Sequence, residues 1–397
     1  MQSAYRPNHS TETALVRVQS DILWALDKKK IVILVLLDLS AAFDTVRHSI
    51  LLDRLEHNFG VTGNALAWFR SYLEGRTYCV SISGTQSQDV TLECGVPQGS
   101  VLGPVLFNIY TNQLGSLVRQ HKMNYHGYAD DSQLYASFST DCTAHSVLQV
   151  ELCLDAVRSW ILTNNLMLND NKTEIIVLGS KHRIQHTEPI SVRIGESTIQ
   201  PAHKVRNIGA IFDQHLAMTD HINSIARSSQ YHLKRIGRIR RYLTDDAAAS
   251  LVHAFVTSRL DYANALLGKV PDCHIKKLQK VQNTAARIVA KVPRREHIRP
   301  ILHEMHWLPV SQRIQFKILL LCFKATTGLA PSYLAELVVP YTPTRSLRSA
   351  DKHLLVVPRA QSTLGNRAFC CLAPVLWNEL PQNMRSATSL DSFLSIN

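Results

Sequence analysis

Seven consecutive apolar residues, Ile31-Val-Ile-Leu-Val-Leu-Leu37, run straight into an acid, Asp38, and no other stretch limits the possible folds so tightly. An unbroken apolar run of this length reads as a strand covered on both faces. A charge at the end of a buried strand calls for a metal or a partner. A second acidic feature lies downstream in His126-Gly-Tyr-Ala-Asp-Asp-Ser132, between two runs of strand character, 123–128 and 133–138. These runs predict a tight hairpin with Asp130 and Asp131 at its tip. Taken alone, such a pair is what an ordinary solvated turn contains. If the Asp38 strand pairs beside the hairpin, however, three carboxylates converge. That is the all-oxygen set Mg2+ takes when substrate phosphates complete its shell. Two such ions activate an attacking 3′-hydroxyl and stabilise the leaving oxygen of an in-line phosphoryl transfer.

Composition narrows the partner. With 397 residues, 45% of them hydrophobic, the chain can bury one large core or two ordinary ones. This excludes a disordered tail. The formal net charge of +12 points to a polyanion, nucleic acid or an acidic membrane surface. No stretch approaches the roughly 20 apolar residues that span a bilayer. Lys28-Lys-Lys30 before the apolar run imitates a signal peptide, but the run is short and ends in an acid, so it reads as a core strand. The eight cysteines form no C-x-x-C pair, so neither a zinc site nor a disulfide framework is indicated. Reduced thiols suit a cytoplasmic or nuclear protein.

Three motifs then fall in order: Leu37-Asp-Leu-Ser-Ala-Ala-Phe-Asp44, Gly95-Val-Pro-Gln-Gly-Ser-Val-Leu-Gly-Pro104 and Tyr128-Ala-Asp-Asp131. Their sequence and spacing resemble the palm motifs of reverse transcriptases, specifically those of non-LTR (LINE-type) retrotransposons. Asn171-Lys-Thr-Glu174, Val205-Arg-Asn-Ile-Gly209, Leu278-Gln-Lys-Val-Gln-Asn283 and His306-Trp-Leu-Pro309 extend the resemblance over nearly the whole chain. It implies an α+β right-hand polymerase: partial fingers and an antiparallel-sheet palm over 1–215, a basic helical thumb over 216–330, and a C-terminal extension of unknown role over 331–397. The implied reaction is RNA-directed transfer of dNMP to a primer 3′-hydroxyl, with an RNA template, a DNA primer and dNTPs as partners and no membrane. Two Mg2+ ions would serve, or Mn2+, with Asp38 and Asp130 bridging both and Asp131 assisting one. The family's polyproteins carry an endonuclease and further fingers upstream, so the chain looks truncated beside them. No zinc knuckle or ribonuclease H constellation is evident.

The resemblance also assigns individual residues. Leu39, Ala42 and Phe43 would lie at the incoming sugar, where the Phe43 ring would exclude a ribose 2′-hydroxyl; as an isolated residue Phe43 reads rather as core, and its position inside the motif reverses that preference. Gln98 and Gly99 would contact the nascent pair and the dNTP, Arg6 the triphosphate or template, and Lys172 the pyrophosphate leaving group. Lys204 to Phe212 resembles the primer-grip strands. Asp44 is open to two readings, a further acid or the cap of the helix through Leu52 and Leu55. Two readings compete with active polymerisation of DNA: a domesticated nucleic-acid-binding remnant, and an RNA-dependent RNA polymerase, which Phe43 disfavours.

Periodicity supplies the remaining expectations. Helices are predicted from Ser10 to about Lys28, with Ser10 or Thr11 as the cap, over 64–73 with Leu66, Phe69, Tyr72 and Leu73 inward, over 101–114, over 147–160, and from Thr244, another cap, through 247–266. Paired strands are expected at 78–83 and 90–94. At 100° per residue, Arg227, Lys234, Arg238 and Arg241 share one face opposite Ile236 and Ile239. Lys276, Lys280, Arg287 and Lys291 likewise share a narrow arc. Without interspersed acids, both ridges read as surfaces that follow a phosphate backbone.

Overall fold

The computed structural model describes residues 1–97, 99–170, 172–343 and 352–395. In chain order its main elements are α1 (Thr11–Asp27), β1 (Ile31–Leu37), α2 (His48–His57), α3 (Gly63–Leu73), α4 (Gly103–Thr111), β2 (Asn124–Tyr128), β3 (Asp131–Phe138), α5 (Thr143–Thr163), β4 (Glu174–Leu178), β5 (Lys204–Asn207), β6 (Ala210–Asp213), α6 (Thr219–Ile239), α7 (Asp272–Ala290), α8 (Val310–Thr326) and α9 (Phe369–Glu379). Contacts divide the chain into two compact units. The first comprises 1–7, 32–177 and 185–202, and the second 8–31, 178–184 and 203–397. Residues 8–31 and 203–215 therefore group with the helical part of the chain.

The first unit is built on a four-stranded sheet in the order β4-β1-β3-β2. Ile31 to Val35 are fully buried, and each such side chain contributes roughly 1.5–3 kcal/mol by leaving water. β2 and β3 are antiparallel, with Tyr128 opposite Asp131 and Gly127 opposite Ser132, so two residues, Ala129 and Asp130, make the turn. Helix α5 buries Val150, Cys153, Leu154, Val157 and Ile161, the i, i+3, i+4, i+7 stripe of a helix lying on a core.

The periphery of this unit departs from expectation. Of the four residues expected inward on α3 only Leu73 is buried, and Trp68 beside them is 54% exposed. The strands expected at 78–83 and 90–94 are two-residue ladders, Thr77–Tyr78 with Val90–Thr91 and Ser81–Ile82 with Thr85–Gln86, all exposed. Helix α4 is shorter than predicted and leaves Val105 exposed. Helical periodicity reports which residues share a face; it does not report whether anything covers that face.

The second unit is mainly helical. Ser10 caps α1 through a capping box with Thr13. Asp27, the last residue of α1, is buried and accepts the backbone N–H groups of Gln361 and Ser362 and the Ser362 hydroxyl. These bonds hold its carboxyl below the usual range even though burial opposes them. Helix α6 packs on α7, burying Ile222, Ile225, Leu233 and Ile236 against Ile275, Leu278, Val281 and Val289. Ile239, expected on the apolar side, is 46% exposed. The helix expected over 247–266 runs instead as α-helix to Val252, a π turn at His253–Thr257 and a short helix to Asp261, with Thr244 as its cap. Trp307 packs on Ala286, Ile301 and Leu302.

Candidate active site

Sheet order brings the acids together. β1 lies beside β3, and Asp38, just past the end of β1, is near enough for its charge to act on Asp131 at the start of β3. The backbone carbonyl of Asp38 accepts Asn169 N–H at 2.9 Å, while its Oδ2 is buried without a hydrogen-bond partner. Lys172 Nζ stands 3.4 Å from that oxygen. Asp131 is exposed as a whole residue, yet its carboxyl is pushed up to about 6, by desolvation first and then by the charges of Asp130 and Asp38. The turn itself is strained: Ala129 has φ +56°. For a residue with a Cβ the left-handed region costs about 1–2 kcal/mol, and strain of this kind collects where function requires a fixed geometry.

Among the described residues no three His, Cys, Asp or Glu side chains stand close enough together to hold a metal ion as placed. The donor chemistry nevertheless fits a hard divalent cation. The three acids offer only oxygen, Asp38 Oδ2 lacks a hydrogen bond, and the Asp131 carboxyl is raised by desolvation and then by the charges of Asp130 and Asp38. A bound cation would relieve all of these.

The other predicted residues fall around this point in different ways. Leu39 and Ala42 are buried, and Phe43 stacks on Phe107 with centroids 4.8 Å apart, which fixes its ring. Asp44 does not cap α2, whose N-cap is Arg47. Gly99 is exposed with φ +80°, and Gln98 lies outside the described residues. Arg6 donates to the Gln2 carbonyl at 3.1 Å.

Sequence reasoning missed His48. Its Nε2 donates to the Gly95 carbonyl at 2.7 Å. Gly95 N–H reaches Val46 O at 2.7 Å and Val96 N–H reaches Phe43 O at 2.9 Å, so the second motif is laced backbone to backbone onto the first. Gly95 must be glycine here, since φ is +95° and a Cβ would stand 3.2 Å from Asp44 O. The only signal in the sequence was a histidine four residues after Asp44, and that alone is too common to read.

In the second unit the two basic ridges are partly as expected. Arg227, Lys234, Arg238, Arg241, Lys276 and Lys280 are exposed, and Lys234, Lys280, Arg287 and the unforeseen Arg294 line one cavity of about 710 Å³ between α6 and α7. Lys291 is held differently. It terminates α7 in the left-handed region and pairs at 2.9 Å with Asp245, whose carboxylate also takes Arg240, so its charge is only partly offset. Arg240, also missed, is buried and donates to the Ile288 and Val289 carbonyls at 2.7 and 2.8 Å. It satisfies carbonyls at the end of α7 that would otherwise go unpaired.

With this geometry established, the chain can be compared with known proteins. The sequence profile of "Reverse transcriptase (RNA-dependent DNA polymerase)" matches residues 1–212, more than half of the chain, and the protein belongs to that family. The non-LTR kinship inferred from the motifs agrees with its relatives. The chain is 27% identical over 303 residues to the RNA-directed DNA polymerase from mobile element jockey of Drosophila funebris, covering 74% of this chain and 32% of that protein. It is 25% identical over 299 residues to the probable RNA-directed DNA polymerase from transposon X-element of Drosophila melanogaster, covering 72% and 31%. It thus spans about a third of the length of these relatives. Among solved structures, telomerase from Candida albicans is similar at a TM-score of 0.37 and 14% identity, over 82% of this chain and 54% of that one. No helix among the described residues is long and apolar enough to cross a membrane.

Proposed function

We propose that the chain is the polymerising part of a non-LTR retrotransposon reverse transcriptase, adding dNMP to a primer 3′-hydroxyl on an RNA template. The observation that carries this reading is the convergence of Asp38 with the Asp130–Asp131 turn on adjacent strands. The first unit acts as the palm and the α6–α7 pair as part of the thumb. Asp38, Asp130 and Asp131 would hold Mg2+, which when bound supplies charge neutralisation and activation of the primer hydroxyl.

The chain's own residues do the rest. Phe43, held by Phe107, blocks the space a 2′-hydroxyl would take. Gly99 offers a bare backbone N–H to the dNTP. Lys172 sits on the acid cluster through Asp38 and, once released from that contact, has a cation to offer the leaving pyrophosphate. Lys234, Lys280 and Arg287 follow the backbone of the template–primer duplex by charge and shape.

Incorporation of dNTP on a primed RNA template, with and without Mg2+, tests the reading. The parent should extend the primer and an Asp130→Asn, Asp131→Asn double variant should not. Salt-dependent binding of the template by both proteins, with incorporation by neither, would overturn the enzymatic reading and leave a nucleic-acid-binding remnant.

A further inference from the structure

Gln2 lies 127 positions from the acidic turn in sequence and against it in space. Its Nε2 donates to the Ala129 carbonyl at 3.0 Å, and its Oε1 accepts the Ala129 N–H at 3.0 Å. Ala129 is the strained residue of the turn, with φ +56°. In a two-residue hairpin loop with positive φ at its first central position, glycine is the favoured occupant. Here alanine stands instead, and both polar groups of its backbone are taken by one planar amide, which carries a donor and an acceptor side by side.

The amide is itself anchored. Met1 O accepts Gly127 N–H at 2.7 Å and Gly127 O accepts Ser3 N–H at 2.9 Å, so residues 1–3 run parallel along the edge of β2. Ser3 Oγ lies 2.8 Å from His126 Nε2, and Asn108 Nδ2 donates to Ala4 O at 2.9 Å. Gly127 permits the approach, because a Cβ there would meet Tyr125 Oη at 2.8 Å and Gln2 Nε2 at 3.3 Å. The clamp is thus built on backbone that cannot slide.

We propose that Gln2 is a positioning residue of the active site: its amide holds the Ala129 peptide and thereby sets the direction in which Asp130 and Asp131 leave the turn. Gln2 touches no reacting atom, and its effect on catalysis rests on the polymerase reading above.

The test uses the full chain with Gln2→Ala and Gln2→Glu, each alone and combined with Ala129→Gly. Gln2→Glu keeps the shape and the acceptor and, when ionised, loses the donor, so it serves if Gln2→Ala folds poorly. Amide exchange at Ala129 should accelerate about tenfold in Gln2→Ala, as expected when a native hydrogen bond is lost locally. Turnover should fall about tenfold, with a several-fold rise in the Mg2+ needed for half-maximal rate and the KM for dNTP within about twofold, because the acids move and the nucleotide pocket does not. Ala129→Gly should return most of that loss, since glycine holds positive φ without the clamp. Unchanged exchange at Ala129, or a turnover loss equally large in the Ala129→Gly background, would overturn the proposal. A parent chain that binds primed RNA yet incorporates nothing would sink the polymerase reading instead, and the exchange experiment alone would then decide whether Gln2 is the clamp.

Discussion

The two units handle charge in opposite ways. In the first, like charges are concentrated: Asp130 and Asp38 stand near Asp131, and their charges add to the desolvation that raises its carboxyl. In the second, like charges are spread along helix faces and partly offset where they crowd, as Arg240 and Lys291 are by Asp245. Concentration on strands suits a small, hard ion that must be held at one spot. Dispersal along helices suits a repeating polyanion that is followed without being read. The contrast teaches that one net charge of +12 conceals two separate designs.

The most severe way to break the contrast is to remove an acid from the cluster. Asp130→Asn should lower incorporation by roughly a thousandfold, the scale of losing several kcal/mol of transition-state stabilisation, while primed-RNA binding stays near the parent's. Equal losses in both measurements would mean that the acids serve folding.

pH should separate the units by sign. His221, in the second unit, is buried and desolvated, with its pKa lowered to about 4, and Arg206 adds to the effect. The folded state therefore resists the proton. The stability this contributes is complete above pH ~6.5 and is lost as pH falls toward about 4, by about 3 kcal/mol from the shift. Asp131 behaves oppositely: its raised pKa means that the metal-free chain is penalised above pH ~6 and relieved as pH falls from there toward ~4. Denaturation followed separately by exchange in each unit, in EDTA, should show the second unit weakening on acidification and the Asp131 region strengthening. His221→Gln and Asp131→Asn should each flatten its own curve.

Phe43→Val should next reduce discrimination against rNTPs by about ten- to a hundredfold, the range a single steric contact supplies, with little change in RNA binding. An unaltered dNTP/rNTP ratio would return Phe43 to the core. The smallest effects belong to the dispersed charges. Lys234→Ala and Lys280→Ala should each lower the salt dependence of duplex binding by about one unit of slope, whereas Lys291→Ala should lower it by less, because Asp245, which Lys291 shares with Arg240, offsets part of that charge. A Lys291 variant as damaging as the other two would erase the distinction between paired and free cations.

What could be read from the sequence was local. The cap at the start of α1, the Thr244 cap and the apolar run of β1 each carry their signal within a few residues. The acids were legible because two local features, a buried strand ending in a charge and an Asp pair in a hairpin, had a single joint explanation. The rest depends on partners far along the chain. Nothing near Gln2 announces Ala129, nothing near Lys291 announces Asp245, and the exposed face of α3 has the same periodicity as a buried one. Arg240 was hidden for a related reason: in a run of basic residues, the one that turns inward is chosen by the carbonyls it meets.

The buried carboxylate of Asp27 imposes a timetable. Its hydrogen-bond donors, at Gln361 and Ser362, are made 334 residues or more after it. At a synthesis rate of about 5–20 residues per second, α1 waits roughly 15 to 70 seconds on the ribosome before its last residue can be satisfied. All the strands of the sheet that carries the acids are translated by Leu178. The acid-bearing sheet can therefore assemble while most of the helical unit is still to be made, and a translation stop shortly before residue 361 would leave a formed sheet attached to a helix with an unpaired terminal charge, a species marked for chaperones or proteases.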